Sequence, residues 1–235
     1  MQVVGWLDAG SSTPYPAPMP DAPAAGVDHL SWILLTMGDR PDALAAAVDS
    51  IPRSGVASTE VIVVANGCPE LAPPERSRVV VAEANVGIPA GRNLGAAAAT
   101  GDVLVFLDDD AVVASADLAR RVARRFTAEA DLAVVGFRIA DPDTGATSQR
   151  HVPRLGRSDP ARSGDVTSFL GGACAIRAAA FHEVGGLPGE FFYALEETDL
   201  AWRLVAAGWR VAYDADAAVL HPRTEIDRHG GATRT

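Results

Sequence analysis

Lysine is absent from the sequence, so its 20 basic residues are all arginine, and 30 acidic residues outnumber them. The net charge of −10 argues against nucleic acid or an anionic membrane as a general partner, because no basic field would attract either. The two cysteines, Cys68 and Cys174, have neither the spacing of a metal site nor that of a disulfide framework. Their scarcity fits a reducing compartment, and we expect a cytoplasmic protein.

Long hydrophobic runs are also absent. No apolar segment reaches the length of a membrane-spanning helix, and the first residues lack the order typical of a signal peptide. We therefore expect no transmembrane segment, while peripheral contact with a membrane stays open. The 235 residues, 48% of them hydrophobic, are enough for one sizeable domain.

Proline is concentrated near the start of the chain, where residues 11–26 contain five prolines among serine, alanine and glycine. This composition predicts a proline-rich arm over residues 1–29, with a short strand at Val3–Leu7. A globular domain is expected over residues 30–225, followed by a tail at 226–235.

Alternating strand and helix patterns indicate an α/β domain with a mainly parallel sheet and helices on both faces. We expect strands at Leu30–Thr36, Val61–Ala65, Arg78–Ala82, Val103–Leu107, Leu132–Arg138, Val166–Phe169, Cys174–Arg177, Trp209–Tyr213 and Ala218–His221. Helices are expected at Pro41–Ser50, Gly87–Ala99, Ala116–Thr127 and Glu196–Ala207, with a short one from Ala178. The pattern changes after residue 138, which divides the domain into a 30–138 half and a smaller 139–225 half. Residues 139–165 form a long polar loop, a candidate lid.

The most informative motif is the apolar run Val103–Leu107 followed by Asp108, Asp109 and Asp110. Side chains alternate along a strand, so Asp108 and Asp110 are expected on one side, at the edge where α/β sheets bind ligands. Mg²⁺ and Mn²⁺ prefer such oxygen ligands and often bind phosphates at the same time. The motif therefore predicts a metal site, and a solvated acidic turn is the alternative.

A second acidic cluster, Glu196-Glu197-Thr198-Asp199, begins the last predicted helix. Helix N-termini stabilise acids, so a structural role explains this pattern equally well. The preceding Phe191-Phe192-Tyr193 could instead shape a sugar pocket, and Gly171-Gly172 permits close backbone approach to a ligand. His221, after a short apolar strand, is either an ordinary surface histidine or a nitrogen ligand for the metal.

Taken in order, these segments resemble the inverting glycosyltransferases of family 2, which have the GT-A fold. The resemblance runs from about Ser31 to Glu225. Its carriers are Asn85-Val86-Gly87, Gly91-Arg92-Asn93, Phe106-Leu107-Asp108-Asp109-Asp110, Gly171-Gly172-Ala173, Val184-Gly185-Gly186-Leu187, Glu196-Glu197-Thr198-Asp199-Leu200 and His221.

The resemblance implies a nucleotide-binding sheet, an acceptor-side region and a role for each matching residue. Asp108 and Asp110 would bind Mn²⁺ or Mg²⁺ on the diphosphate of a nucleoside-diphosphate sugar, and His221 would be a further metal or diphosphate contact. Glu197 would be the catalytic base, with Glu196 beside it in the catalytic pair. The donor would be bound by Thr36, Arg40, Asn66, Arg92, Asn93, Asp108, Asp109, Gly171 and Gly172.

Two positions depart from the family pattern. Ala65 stands where the second strand commonly ends in an aspartate that helps to bind the nucleoside, so base recognition is altered or Asn66 substitutes. The catalytic pair is Glu-Glu rather than Glu-Asp, which moves the second carboxylate by roughly one bond length, a shift that matters in catalysis.

The implied function is metal-dependent transfer of a sugar to a hydroxyl of a glycan, a lipid-linked sugar or a small natural product, with inversion. A sugar nucleotidyltransferase is an alternative, but Thr36–Arg40 is a poor match to its phosphate loop and lysine is absent. A nucleotide-sugar-binding module that has lost catalysis is a further alternative.

Overall fold

The computed structural model describes residues 26–52, 56, 58–153 and 159–222. Most of the predicted domain falls within these ranges. The strand expected at Val3–Leu7, nearly all of the predicted arm and the tail at 226–235 lie outside them.

The described chain alternates strands and helices through most of its length. The strands are β1 His29–Thr36, β2 Ser58–Asn66, β3 Arg78–Ala82, β4 Val103–Asp108, β5 Val112–Val113, β6 Leu132–Ala140, β7 Gly164–Asp165, β8 Ala173–Arg177 and β9 Arg210–Leu220. The α-helices are α1 Pro41–Ser50, α2 Ile88–Ala98, α3 Leu118–Ala128, α4 Ala178–Glu183 and α5 Glu196–Ala206. Short 3₁₀ helices cover Gln149–His151 and Gly189–Phe191.

All nine strands belong to one sheet in the order β3-β2-β1-β4-β8-β6-β9-β5, with β7 paired to β9. β3, β2, β1 and β4 are parallel to one another, whereas β8 is antiparallel to both β4 and β6. The carboxyl ends of β1, β2 and β4 therefore share an edge with the amino end of β8. The predicted division at residue 138 falls inside β6, so both predicted halves share this sheet.

Helices cover both faces of the sheet, as the sequence pattern predicts. Trp32 and Leu34 of β1 pack into a core with α1 and α3 on one face, and Ile33 packs with α2, α4 and α5 on the other. The apolar residues of α3 recur every three or four positions, as expected for one buried stripe: Leu118, Ala119, Val122, Ala123 and Phe126. The α/β class is thus confirmed.

Three sequence-based expectations need correction. The strand expected at Val166–Phe169 is absent; Val166 makes one backbone bond to β9, at 2.9 Å, and Phe169 turns into the core instead. The two strands expected at Trp209–Tyr213 and Ala218–His221 are the single strand β9, whose register against β6 shifts after Asp214. The two-residue strand β5 was not expected, because so short a segment has no readable pattern.

Among the described residues, none of the helices has both the length and the apolar character needed to cross a membrane.

Candidate active site

A cavity of about 820 Å³ lies at the shared edge where β1, β2 and β4 end and β8 begins. Nearly every residue predicted to bind donor or metal, or to act in catalysis, lines this cavity. These residues are Thr36, Arg40, Asn66, Arg92, Asp108, Asp109, Asp110, Gly171, Gly172, Glu196, Glu197 and His221.

Asn93 is the exception, because it is not among the residues that line the cavity. Its side-chain amide donates to Leu187 O at 2.8 Å, and its oxygen accepts from Leu187 N at 3.0 Å. Both groups therefore tie α2 to the segment that follows α4. This placement gives Asn93 a structural task beside the cavity, and its part in shaping the donor site stays a prediction.

Asp108, Asp110 and His221 converge on one point of the cavity wall. Asp108 ends β4, Asp110 lies in the turn that follows, and one ligand atom from each of the three residues lies within 4.8 Å of the others. His221 Nε2 lies 3.1 Å from Asp110 Oδ1 and 3.7 Å from Asp108 Oδ2. The two carboxylates supply the oxygen ligands that Mn²⁺ and Mg²⁺ prefer, and the imidazole adds a nitrogen ligand.

Backbone contact fixes the orientation of the His221 ring. Its Nδ1 lies 2.8 Å from Pro222 O, which can only accept, so Nδ1 carries the hydrogen and Nε2 faces the two aspartates. The hydrogen bond with Asp110 raises the pKa of His221 against the opposing effect of burial. A proton on Nε2 would therefore compete with a metal ion for this position.

Asp109 points to the other side of the acidic turn, toward β1. It accepts a hydrogen bond from Thr36, and Arg40 Nη2 lies 2.6 Å from its Oδ1. Burial raises the pKa of Asp109 despite these partners. Arg40 also pairs with Asp110, whose pKa is lowered because His221 and Arg40 outweigh its burial. Arg40 and His221 thus supply the positive charge at this turn.

Arg92 joins the two acidic clusters, which lie far apart in the sequence. Its side chain is 8% exposed, and Nη2 lies 3.2 Å from Asp108 Oδ1. Nη1 lies 3.5 Å from Glu197 Oε1 and 3.8 Å from Glu196 Oε1. Arg92 therefore lies between the two acidic clusters, in the wall of the cavity.

Gly171 and Gly172 make room for these charged side chains. A Cβ on Gly172 would overlap the carboxylate of Asp108, and a Cβ on Gly171 would overlap Arg92 and Glu197. Gly172 O also accepts from Asp108 N at 2.9 Å. The sequence predicts that the glycine pair permits close approach of a ligand. In the structure, the space that a Cβ would fill is occupied by side chains of the protein, among them the carboxylates of Asp108 and Glu197.

The two glutamates at the start of α5 differ in their surroundings. Glu197 Oε1 accepts a hydrogen bond from Gly171 N at 3.0 Å, which holds the carboxylate against the cavity wall. Glu196 is 2% exposed, and its Oε2 has no hydrogen-bond partner among the described residues. Burial raises the pKa of Glu196, and the neighbouring charge of Glu197 adds to that effect.

The third acid of this helix has a structural role. Asp199 accepts a hydrogen bond from Arg203 at 2.7 Å, one turn along the helix, and Arg203 also binds Val184 O and Gly186 O. No side chain caps the amino end of α5. Glu196 and Glu197 lie in the first turn of α5, where the helix favours acids, and they also line the cavity.

The segment before α5 forms part of the cavity rim. Phe192, Ala194 and Leu195 all have positive φ angles of 59–70°, which side chains seldom adopt outside functional or strained segments. Phe192 O accepts from Ile88 N at 2.8 Å, so the rim is attached to the start of α2. The aromatic triplet was a visible signal in the sequence, but its backbone conformation was not.

Sequence reasoning missed three further polar residues of the cavity, Asp39, Asn85 and His151. His151 comes from the loop that was expected to be a lid, and burial, followed by the charge of Arg150, lowers its pKa. Asn85 lies within a motif that carries the family resemblance, yet nothing in that motif indicated that its side chain faces the cavity.

Curated relatives of the chain are glycosyltransferases. It is 30% identical over 142 residues to the O-antigen chain rhamnosyltransferase RfbN of Salmonella typhimurium, a match covering 54% of this chain and 45% of that protein. It is also 30% identical over 149 residues to the pre-mycofactocin glycosyltransferase of Mycobacterium tuberculosis, covering 60% of this chain and 31% of that one. The chain thus matches less than half the length of these two relatives.

Solved structures with the same fold include two glycosyltransferase complexes. The mannosyltransferase PcManGT of Pyrobaculum calidifontis, in complex with GDP-Man and Mn²⁺, superposes with a TM-score of 0.65 at 20% identity, covering 93% of this chain and 63% of that one. GalNAc-T7 with UDP, GalNAc and Mn²⁺ gives a TM-score of 0.63 at 15% identity, covering 83% and 44%. At these identities the likeness shows the fold, and the GT-A prediction is confirmed.

Residues 31–185 match the sequence family described as Glycosyl transferase family 2. This range includes β1 to β4, the acidic turn and the glycine pair, and so most of the cavity described above. The chain belongs to glycosyl transferase family 2.

Proposed function

We propose that this chain is the catalytic domain of an inverting, metal-dependent glycosyltransferase that moves a sugar from a nucleoside-diphosphate sugar to an acceptor hydroxyl. One observation carries the proposal. A single cavity contains a group of side chains that suits a metal ion and, beside it, the carboxylate of Glu197, and Arg92 pairs with both. The family and the curated relatives support it, because they are named for glycosyl transfer.

Asp108, Asp110 and His221 are the residues we assign to Mn²⁺ or Mg²⁺. Such an ion, when bound, neutralises charge that develops on a departing diphosphate. Two solved structures of this fold contain Mn²⁺ with a nucleotide or nucleotide sugar, which supports this choice of ions.

The order of the strands gives the donor a direction across the cavity. β4, which carries the metal group, lies between β1 on one side and β8 on the other. Glu197 and Gly171 lie on the β8 side, so we assign the sugar and the acceptor to that side. The nucleoside then lies toward the ends of β1 and β2, where Thr36, Arg40 and Asn66 line the cavity.

Glu197 is the group that we assign as the general base. Its Oε1 is held by Gly171 N and faces Arg92, which leaves Oε2 to accept the proton of the acceptor hydroxyl. As that oxygen bonds to the anomeric carbon, the bond to the donor diphosphate breaks with its electron pair. The proton stays on Glu197, and the anomeric configuration inverts because the attack is a single displacement.

The acceptor side of the cavity has an aromatic rim. Phe192 and Tyr193 line the cavity and are more than half exposed, so they offer ring faces to a sugar or an apolar carrier. We propose a hydroxyl of a glycan, a lipid-linked sugar or a small natural product as acceptor. Because two of the curated relatives are named O-antigen chain rhamnosyltransferases, rhamnosyl donors are the first to test.

The test is a panel of nucleotide sugars incubated with Mn²⁺, Mg²⁺ or EDTA, in which release of the nucleoside diphosphate is measured. We expect slow hydrolysis of one donor that requires the metal and accelerates when the acceptor is added. Metal-dependent binding of every donor without turnover would instead indicate an inactive binding module. Formation of a nucleotide sugar and pyrophosphate from a nucleoside triphosphate and a sugar phosphate would indicate a nucleotidyltransferase.

A further inference from the structure

Two carboxamides, Asn66 and Asn85, lie together where the cavity reaches the end of β2. Asn66 is the last residue of β2 and is 3% exposed, whereas Asn85 is exposed, and both line the cavity. Asn66 Nδ2 donates to Asn85 Oδ1 at 3.0 Å. The two side chains therefore form one hydrogen-bonded unit.

Main-chain donors fix the orientation of both amides. Val86 N donates to Asn66 Oδ1 at 2.9 Å, and Gly87 N donates to Asn85 Oδ1 at 2.9 Å. A backbone N–H can only donate, so the oxygen of each amide must face it, and the usual ambiguity between amide oxygen and nitrogen does not arise. The Asn85 oxygen thus accepts two bonds from within the protein.

The remaining polar group of Asn85 is its Nδ2, which lies 3.8 Å from Met37 Sδ, a weak acceptor. Met37 also lines the cavity and is exposed. Asn85 therefore offers the cavity hydrogen-bond donors only. Beside Asn66, the strand position of Ala65 is fully buried and carries no polar group, so it supplies no acceptor.

The position of this amide pair on the sheet indicates what it contacts. Neighbouring strands are about 4.8 Å apart, so the end of β2 lies roughly 10 Å from the end of β4, with β1 between them. That separation suits a nucleobase whose diphosphate is at Asp108 and Asp110. This step rests on the proposed function, which places the diphosphate at β4 and the nucleoside toward β2.

We propose that Asn66 and Asn85 select the nucleobase of the donor by its exocyclic carbonyl oxygen. Asn85 Nδ2 donates to the base, and Asn66 is a positioning residue that holds the Asn85 amide in the donating orientation. A base with a carbonyl at this edge, such as uracil with its O4, is favoured. Cytosine, which carries an amine at the same position, places donor against donor and is disfavoured.

The test compares UDP with CDP, since their bases share the same ring frame and differ only at positions 3 and 4. Dissociation constants are measured by calorimetry in the presence of Mn²⁺ for the wild type, Asn85→Asp and Asn66→Asp. Asn85→Asp keeps an acceptor for Gly87 N and Asn66 Nδ2 but presents an oxygen to the cavity. Asn66→Asp replaces the donor to Asn85 Oδ1 with a carboxylate oxygen. Repulsion between the two oxygens then disfavours the donating orientation of the Asn85 amide, which only Gly87 N still supports.

The wild type is expected to prefer UDP by about tenfold, and each variant is expected to lower the UDP-to-CDP preference by at least about fivefold. Because Asn85 is exposed, Asn85→Asp tests the proposal even if the buried substitution at Asn66 impairs folding. Asp39→Asn is the matched control, since Asp39 also lines the cavity but lies outside the amide pair. It should change both affinities in parallel.

The ratio of the two affinities separates the possible results. A purely structural role of the amides would weaken both nucleotides equally, and that result would overturn the proposal. So would a UDP-to-CDP preference that changes in Asp39→Asn and not in the two amide variants. Equal binding of UDP and CDP, or binding of neither while dTDP or GDP binds with Mn²⁺, overturns this inference alone. If none of the four nucleotides binds the wild type with Mn²⁺, the proposed function fails and this inference fails with it.

Discussion

Carboxylates lie at both ends of the parallel strands, and their partners differ. At the amino ends, Glu60 accepts hydrogen bonds from Ser31 Oγ at 2.6 Å and from Thr100 N at 2.7 Å, and Arg78 pairs with it at 3.1 Å. Burial alone would raise its pKa, but these donors outweigh burial and lower the pKa to about 2. At the carboxyl ends, burial raises the pKa of Glu196, whose Oε2 lacks a partner.

The difference separates two uses of an acidic residue in one fold. The hydrogen bonds of Glu60 connect β2 to β1 and to the segment before β4, so donors of the protein stabilise its negative charge. The acids at the carboxyl edge outnumber the arginines and the histidine that pair with them among the described residues. Binding of a cation, or transfer of a proton from a substrate, would neutralise part of this excess negative charge.

The largest expected effect is on the rate of sugar transfer, for which Glu197 is the assigned base. Glu197→Gln should lower the transfer rate at least about a hundredfold, the scale of general-base catalysis, and leave donor and metal affinity nearly unchanged. Single-turnover transfer and calorimetric donor binding measure the two effects. Glu190→Gln, the same change at an exposed position of the preceding loop, is the control and should transfer at the wild-type rate.

Glu196→Gln decides between the two neighbouring glutamates. If that variant loses transfer and Glu197→Gln does not, the base is Glu196 and the assignment moves by one residue. If both variants keep the wild-type rate, the acids of α5 have no catalytic role and the proposed mechanism is wrong.

The next effect concerns stability at the amino edge. The pKa of Glu60 lies below its ordinary value, so its carboxylate stabilises the fold above about pH 4.5 and this contribution is lost as the pH falls through about 2. At neutral pH, Glu60→Gln should therefore lower the free energy of unfolding by about 1–2 kcal/mol, because solvent screens part of the interaction of this partly exposed carboxylate. Urea denaturation measures this loss, and it should shrink in acid.

Exposed Glu75 supplies the control for that measurement. Glu75→Gln should leave the free energy of unfolding within about 0.5 kcal/mol of the wild type. If Glu60→Gln were as stable as Glu75→Gln, the stabilising role assigned to the carboxylate at the amino ends of the strands would be wrong.

A smaller effect is the pH dependence of metal binding. The pKa of His221 is raised, first by its hydrogen bond with Asp110, so a proton must leave before Nε2 can bind a metal ion. Below that pKa, Mn²⁺ affinity should fall by about tenfold per pH unit, and His221→Gln should flatten the slope. Burial lowers the pKa of neighbouring His151, so its titration is displaced in the opposite direction from that of His221. An unchanged slope in the variant would remove His221 from the metal group.

Local patterns in the sequence predicted the elements that carry the site. The apolar run of β4 before three aspartates, and Pro41 at the start of α1, are signals contained in a few neighbouring residues. They gave the position of the acidic turn and the α/β class. The Asp108–Asp110 motif also predicted a metal site, and the family resemblance added Glu196 and Glu197 as a catalytic pair; all these residues line the cavity.

Contacts between distant residues could not be predicted in this way. Arg92 joins Asp108, 16 residues away, to Glu197, 105 residues away, and no local pattern indicates such a bridge. Likewise, the sequence suggested that Asn66 would face the nucleoside, but its amide is bonded to Asn85 and Val86. The orientation of a side chain depends on partners that only the folded chain brings together.

The contrast between the two edges is tested most directly by melting temperatures measured with and without Mn²⁺ and a nucleoside diphosphate. UDP, dTDP, GDP and CDP are tried in turn, and the one that stabilises the wild type most is used with the variants. We expect Glu60→Gln to melt at a lower temperature but to keep the full ligand-induced shift, and Asp110→Asn to fold but to lose that shift. A full shift in Asp110→Asn would contradict the assignment of the acidic turn to metal and diphosphate.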